Sequence, residues 1–124
     1  GLPVGALTNG NARRSGRLGD ALDFWLTASD VGAAKPRTPP FVAACAAAGC
    51  APGALVHVGD SLVDDVLGAL DFGARAIHVT AYDSEKARDA DPELAARLAA
   101  YDSSRFAVVG DVSEVAAVVA AWGG

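Results

Sequence analysis

Leu55-Val56-His57-Val58-Gly59-Asp60-Ser61-Leu62-Val63-Asp64-Asp65-Val66-Leu67-Gly68-Ala69 is the stretch whose reading decides the fold. A short apolar run ends abruptly in Gly-Asp, and an acidic pair follows where an apolar helical pattern begins. That is how a buried strand delivers a carboxylate to its C-terminal tip, the end at which open α/β sheets bind ligands. Carboxylates converging at such a tip can hold a hard cation such as Mg²⁺ through oxygen ligands.

Outward from this segment, strand-like and helix-like patterns alternate along the chain. Leu2 to Leu7 reads as a strand, followed by a polar, Arg-rich helix over Asn11 to Leu18. Phe24 to Thr27 reads as a short strand, and a loop then runs through Lys35-Pro36. Pro39 and Pro40 suit the first turn of a helix reaching Ala48, which Gly49 stops. Leu55 to Val58 is the third strand, with a helix over Leu62 to Phe72 ending at Gly73. Ala74 to Thr80 is a strand, Pro92 to Ala100 a helix, Phe106 to Val109 a strand and Ser113 to Trp122 a closing helix. Alternation of this kind argues for an α/β fold of parallel strands joined by helical crossovers. Ala81 to Asp91 is the stretch with least pattern.

Two upstream segments sharpen the reading. Leu7-Thr8-Asn9-Gly10 places a hydroxyl at a strand tip, although Thr8-Asn9-Gly10 alone also describes an ordinary turn. Ala34-Lys35-Pro36 holds a lysine in a Pro-braced loop; alone it would be a solvated surface residue. Threonine, lysine and paired aspartates, in that order, suit a site for a phosphoryl group and its metal.

This combination resembles the C-terminal half of the core domain of a haloacid dehalogenase-like (HAD) hydrolase, of the phosphoglycolate phosphatase-like type. Thr8-Asn9-Gly10 matches the family's second motif, Lys35-Pro36 its third, and Gly59-Asp60-Ser61 with Asp65 its fourth. The likeness extends from Val4 to Val79. It implies a Rossmann-like three-layer core with a mostly parallel sheet, incomplete at its N-terminal side. By the same resemblance Thr8, Asn9 and Gly10 bind the substrate phosphate, and Thr8 and Lys35 act in catalysis. Asp60 and Asp65 are the implied Mg²⁺ ligands, with Ser61 and Asp64 as further candidates. One of Asp64 and Asp65 is expected to face the site and the other solvent, since helix neighbours point apart. Arg37 stands where the family often has Asp.

The family's first motif, Asp-x-Asp, supplies its nucleophile. The Asp-x-Asp present here, Asp89-Ala90-Asp91, lacks a preceding apolar strand, and Asp91-Pro92 reads as a helix start. The chain begins at Gly1 and contains no Met. The expectation is therefore residues 1–124 as the C-terminal portion of a HAD-like core, without its cap domain or first-motif strand. The implied intact protein is a Mg²⁺-dependent phosphate monoester hydrolase working through an aspartyl-phosphate, and this chain alone is expected to be inactive. Its expected partners are a small phosphorylated substrate and either the missing N-terminal half or a second copy. The alternative is a non-catalytic HAD-fold domain for binding or assembly. A haloacid dehalogenase is a third option, against which the retained Asp60 and Asp65 weigh, since those members work without Mg²⁺.

Composition sets the remaining bounds. The 124 residues, 52% of them apolar, suffice for one core. A net charge of −5 disfavours nucleic acid as a partner. Arg13, Arg14 and Arg17 are the basic cluster, read as a solvated helix face. No apolar run approaches the ~18 residues of a membrane span. Cys45 and Cys50 match no metal or redox spacing and read as buried free thiols, which points to a reducing, cytoplasmic setting. His57 and His78 lie inside apolar strand patterns and take no assigned role. Trp25 and Trp122 read as packing residues, Gly59 as the pivot of a sharp turn, and a Gly-x-Gly-x-x-Gly dinucleotide signature is absent.

Overall fold

The computed structural model describes residues 2–10, 14, 16–80 and 91–123. In chain order they form β1 (Gly5–Thr8), α1 (Gly16–Ala21), β2 (Phe24–Thr27), α2 (Ala28–Val31) and α3 (Thr38–Ala48). There follow β3 (Val56–Gly59), a π-helical stretch (Leu62–Leu67) running directly into α4 (Gly68–Phe72), β4 (Arg75–Val79), α5 (Pro92–Ala99), β5 (Phe106–Val109) and α6 (Val115–Ala121). Every strand pair is parallel. β1 pairs with β2, and β3, β4 and β5 form a second sheet in that order. Among the described residues β1 and β3 are not paired with one another.

Strand alternation builds the layers. On β4, Ala76 faces a core shared with Phe41, Val66, Ala69 and Leu70, against which Leu94, Leu98 and Tyr101 pack. Its neighbours Ile77 and Val79 face the other way, onto Val115, Val118, Val119 and Trp122. The three-stranded sheet therefore carries α3, α4 and α5 on one face and α6 on the other, a three-layer α/β arrangement. Phe41, Leu67, Leu70 and Ile77 are fully buried, each contributing about 2 kcal/mol of apolar burial. The same alternation puts His57 and Gly59 on the α4 face, beside Ala76 and His78 of β4.

The elements end where local chemistry dictates. α3 starts with Pro39 and Pro40 in its first turn, where a missing N–H costs nothing, and closes at Gly49 with φ 70°. α2 was not expected, the segment after Thr27 having read as a loop. It forms because Thr27 and Asp30 cap each other reciprocally, each side chain bonding the other's backbone N–H. The expected helix over Asn11 to Leu18 falls partly outside the described residues, and the helix that is described, Gly16–Ala21, lies further along. Arg14 precedes it and is exposed, as a solvated face requires, while its guanidinium also donates to the carbonyls of Gly19 and Leu22 at the end of the helix. The stretch from Ala81 to Ala90 lies outside the described residues. Asp91 caps α5, accepting from the N–H groups of Glu93 and Leu94, as its position before Pro92 led one to expect.

Candidate functional site

The tips of β1 and β3 are drawn together by the loop that carries Lys35. Lys35 Nζ donates to the carbonyl of Leu7, next to the end of β1, at 3.0 Å. It also lies 2.6 Å from Asp65 Oδ1, just beyond β3, with both side chains about one-tenth exposed. Asn9 fastens the same loop from the other side. Its Oδ1 accepts from Lys35 N at 2.8 Å and its Nδ2 donates to Lys35 O at 3.1 Å. The Lys35–Pro36 peptide is cis. Thr8 Oγ1 accepts from Gly10 N at 3.0 Å, so the hydroxyl shapes the turn.

Asp65 is the hub. Its Oδ1 accepts from Lys35 and also faces His57 Nε2 at 2.9 Å; a carboxylate only accepts, so that nitrogen carries the hydrogen. Its Oδ2 accepts from Ser61 N at 3.1 Å. Burial penalises the charge on Asp65, but the hydrogen bonds and positive charge of His57 and Lys35 prevail and hold its carboxyl well below the usual carboxylate range. Gly59 sits hard against this group: a Cβ there would lie 2.2 Å from Asp65 Cγ and Oδ2. Its φ lies outside the left-handed region. Gly59 is therefore required for space, which corrects its reading as a turn pivot.

The segment after β3 explains how two adjacent acids both reach inward. Val66 N bonds Ser61 O, a five-residue step, so the first turn is π-helical. That wider turn sets successive side chains at a smaller angle than an α-helix does. Asp65 is buried, while Asp64 is half-buried and leans toward Asn9 Nδ2 at 3.4 Å instead of facing open solvent. Ser61 caps the turn by accepting from Asp64 N at 3.1 Å.

Asp60 is placed differently. It is exposed at the tip of β3, and among the described residues its carboxylate has no hydrogen-bond or ion-pair partner. Its backbone carbonyl is instead held by buried His78, whose Nε2 donates at 3.1 Å. Among the described residues no three His, Cys, Asp or Glu side chains are clustered for a metal. The open carboxylate of Asp60 can supply an oxygen ligand to a hard cation, whereas both oxygens of Asp65 are engaged by Lys35, His57 and the Ser61 N–H.

The two histidines left without a role thus brace this corner, His57 through the Asp65 side chain and His78 through the Asp60 backbone. Their place becomes readable only once the strand register is known. They sit two residues before Gly59 and at its register partner, on the face that the strand period assigns to the acidic helix.

Parallel α/β layers, with a lysine joining a threonine-tipped strand to a Gly-Asp strand, make a Rossmann-like core. A family model for HAD-hydrolase-like proteins matches residues 32–101, more than half of the chain. The chain belongs to that family. Over 75 residues, 60% of this chain and 32% of the relative, it is 39% identical to 5-amino-6-(5-phospho-D-ribitylamino)uracil phosphatase YigB of Escherichia coli K12. Among solved structures, a 2-haloacid dehalogenase from Pseudomonas syringae pv. tomato DC3000 superposes with a TM-score of 0.74 at 34% identity, covering 97% of this chain and 47% of that one. A HAD phosphatase from Thermococcus onnurineus gives a TM-score of 0.62 at 25% identity, over 82% of this chain and 40% of its own. The chain thus spans less than half the length of each of these relatives.

Proposed function

We propose that these residues form the phosphate- and metal-facing half of a HAD-type phosphatase acting on a small phosphate monoester. The observation that carries this is the position of Lys35, with one ammonium engaging both the end of β1 and Asp65 beyond β3. A cation held there by Asp65 and bonded to the carbonyl of Leu7, the residue before Thr8, suits a doubly charged phosphoryl group. In this reading Thr8, Asn9 and Gly10 receive the phosphate oxygens, Lys35 offsets their charge, and Asp60 is the principal metal-side carboxylate. Asp65 serves by fixing Lys35 and by hydrogen-bonding around the metal, with Ser61 and Asp64 contributing to the same corner. Bound Mg²⁺ would supply charge neutralisation at the phosphoryl oxygens. The nucleophilic aspartate of the aspartyl-phosphate route is assigned to a strand outside this chain, lying between β1 and β3.

Similarity to a phosphatase and to a HAD phosphatase supports the reaction class. The likeness to a 2-haloacid dehalogenase keeps hydrolytic dehalogenation as the second reading. One experiment separates them. The chain is assayed with Mg²⁺ against p-nitrophenyl phosphate, a panel of phosphate monoesters and 2-chloropropionate, alone and fused behind a segment that ends a strand in Asp-x-Asp. The expected result is no turnover alone and Mg²⁺-dependent phosphate release by the fusion, abolished by Asp60→Asn. Chloride release without metal would establish the second reading instead. Metal-dependent phosphate release by the chain alone, lost in Asp60→Asn, would refute the assignment of the nucleophile elsewhere.

A further inference from the structure

Cys45 and Cys50 occupy the two ends of a helix-terminating wrap. α3 ends at Ala48, and Gly49 takes the left-handed conformation, φ 70° and ψ 37°. The N–H groups of Gly49 and Cys50 then both donate to the carbonyl of Cys45, at 2.9 and 3.1 Å. The second of these is the six-to-one bond of a Schellman closure, which folds the residue after the stop back over the residue that accepts. In such closures the two side chains meet, commonly as an apolar contact. Here both are thiols, reduced in this structure. Cys45 is buried and Cys50 half-buried. Burial first, and then the adjacent Cys50, push the Cys45 thiol up to about 11.

We propose that Cys45 and Cys50 are a reversible dithiol–disulfide pair that staples the C-terminal cap of α3. The six-to-one closure folds Cys50 back toward Cys45 at the helix end, and a disulfide there requires Cα atoms ~4.4–6.8 Å apart. The oxidant is a low-molecular-weight disulfide, RSSR, of the glutathione type. The more accessible Cys50, as thiolate, attacks one sulfur of RSSR, forming Cys50–S–SR and expelling RS⁻. Cys45 loses its proton as it attacks Cys50 Sγ, forming the Cys45–Cys50 bond and expelling the second RS⁻. The two thiol protons end on two RSH, and two electrons pass from the cysteines to RSSR. Excess RSH reverses each step. Phe41 lies one helical turn before Cys45 on the same buried face and packs edge-on to His57 at 5.3 Å, so the staple tightens the helix that backs the Asp65 corner.

The test equilibrates the whole chain in glutathione buffers from fully reduced to fully oxidised, quenches with acid and an alkylating reagent, and reads intact mass and peptide maps. The expected product is monomeric, ~2 Da lighter, closed to alkylation, and yields a Cys45–Cys50 cross-linked peptide that dithiothreitol removes. Its Tm should rise by about 5 °C, with slower amide exchange at Gly49 and Cys50. Cys50→Ser, which keeps the cap backbone, should lose both the mass change and the Tm rise. Two alkylated cysteines at the most oxidising ratio would overturn the proposal. So would a reaction that stops at one glutathione on Cys50, or one that yields only intermolecular dimers.

Discussion

At the residue scale the site rests on contrasting environments for carboxylates a few residues apart. Asp65 is buried and its charge is shared by Lys35, His57 and Ser61 N–H, whereas Asp60 is exposed with an unengaged carboxylate. Removing the charge of Asp65 leaves Lys35 without its buried partner, so Asp65→Asn should cost about 3–5 kcal/mol in urea unfolding. Asp60→Asn breaks no such contact and should stay within about 0.5 kcal/mol of the parent, even where it abolishes activity. The lowered Asp65 carboxyl also fixes a sign with pH. Its folded form binds a proton less readily than its unfolded form, so its stabilisation is complete above the unfolded value near ~3.9 and disappears as pH falls toward the folded one. Stability of the parent should therefore drop steeply below about pH 4, and Asp65→Asn should show a shallower slope there. Equal slopes would show that Asp65 is not the group responsible. Gly59→Ala inserts a methyl where Asp65 Cγ would be 2.2 Å away, and the pinned carboxylate has no room to withdraw. A loss of about 3 kcal/mol is expected, whereas alanine in place of an unconstrained strand glycine gains about 0.5–1 kcal/mol.

At the element scale, the close seat of α4 decides where Lys35 can reach. A Cβ on Gly68 would lie 3.0 Å from Pro36 Cβ and 3.2 Å from Phe41 Cε2, so this face admits the Pro36 loop only because it is bare. Gly68→Val should push that loop outward, cost about 1–3 kcal/mol, and shift the Lys35 and Asp65 resonances in NMR spectra. A variant with unchanged stability and spectra would show that the loop is not seated through Gly68. Much of this layout was legible in the sequence. Strand runs, Gly49 and Gly73 as stops, and Asp91-Pro92 as a start all follow from periodicity and caps that act locally. The π-helical turn after Ser61 was not legible, because a five-residue step leaves the apolar spacing of Leu62, Val66 and Leu67 almost as an α-helix would have it. α2 was legible in principle through Thr27 and Asp30, but a cap pair over four residues is easily taken for a loop. His57 and His78 were visible yet uninformative alone, since only the parallel register of β3 and β4 reveals what they face.

At the scale of the whole molecule, two parallel sheets share no strand pairing among the described residues, and side chains must hold them in register. Helix α3 touches β1, β2 and α4, while Lys35 spans from Leu7 to Asp65. The sheets therefore differ in cooperativity. β4 is paired on both sides and nearly all buried, whereas every residue of β1 is partly exposed and paired on one side only. Backbone edges of this kind are satisfied by water or by another strand, and they open at lower free energy than a doubly paired strand. Native-state hydrogen exchange should accordingly place β4 amides in the slowest class and those of β1 and β2 in a separate, faster unit. Lys35→Met removes the bridge between the sheets and should accelerate β1 exchange more than β4 exchange, beyond the general destabilisation that the unpaired Asp65 brings. A segment able to insert between β1 and β3 should do the reverse, slowing β1 until both sheets exchange together. Uniform protection across β1, β2 and β4 in the chain alone would show that α3 and Lys35 already fuse the sheets into one cooperative body, and would remove the physical argument for a further strand between them.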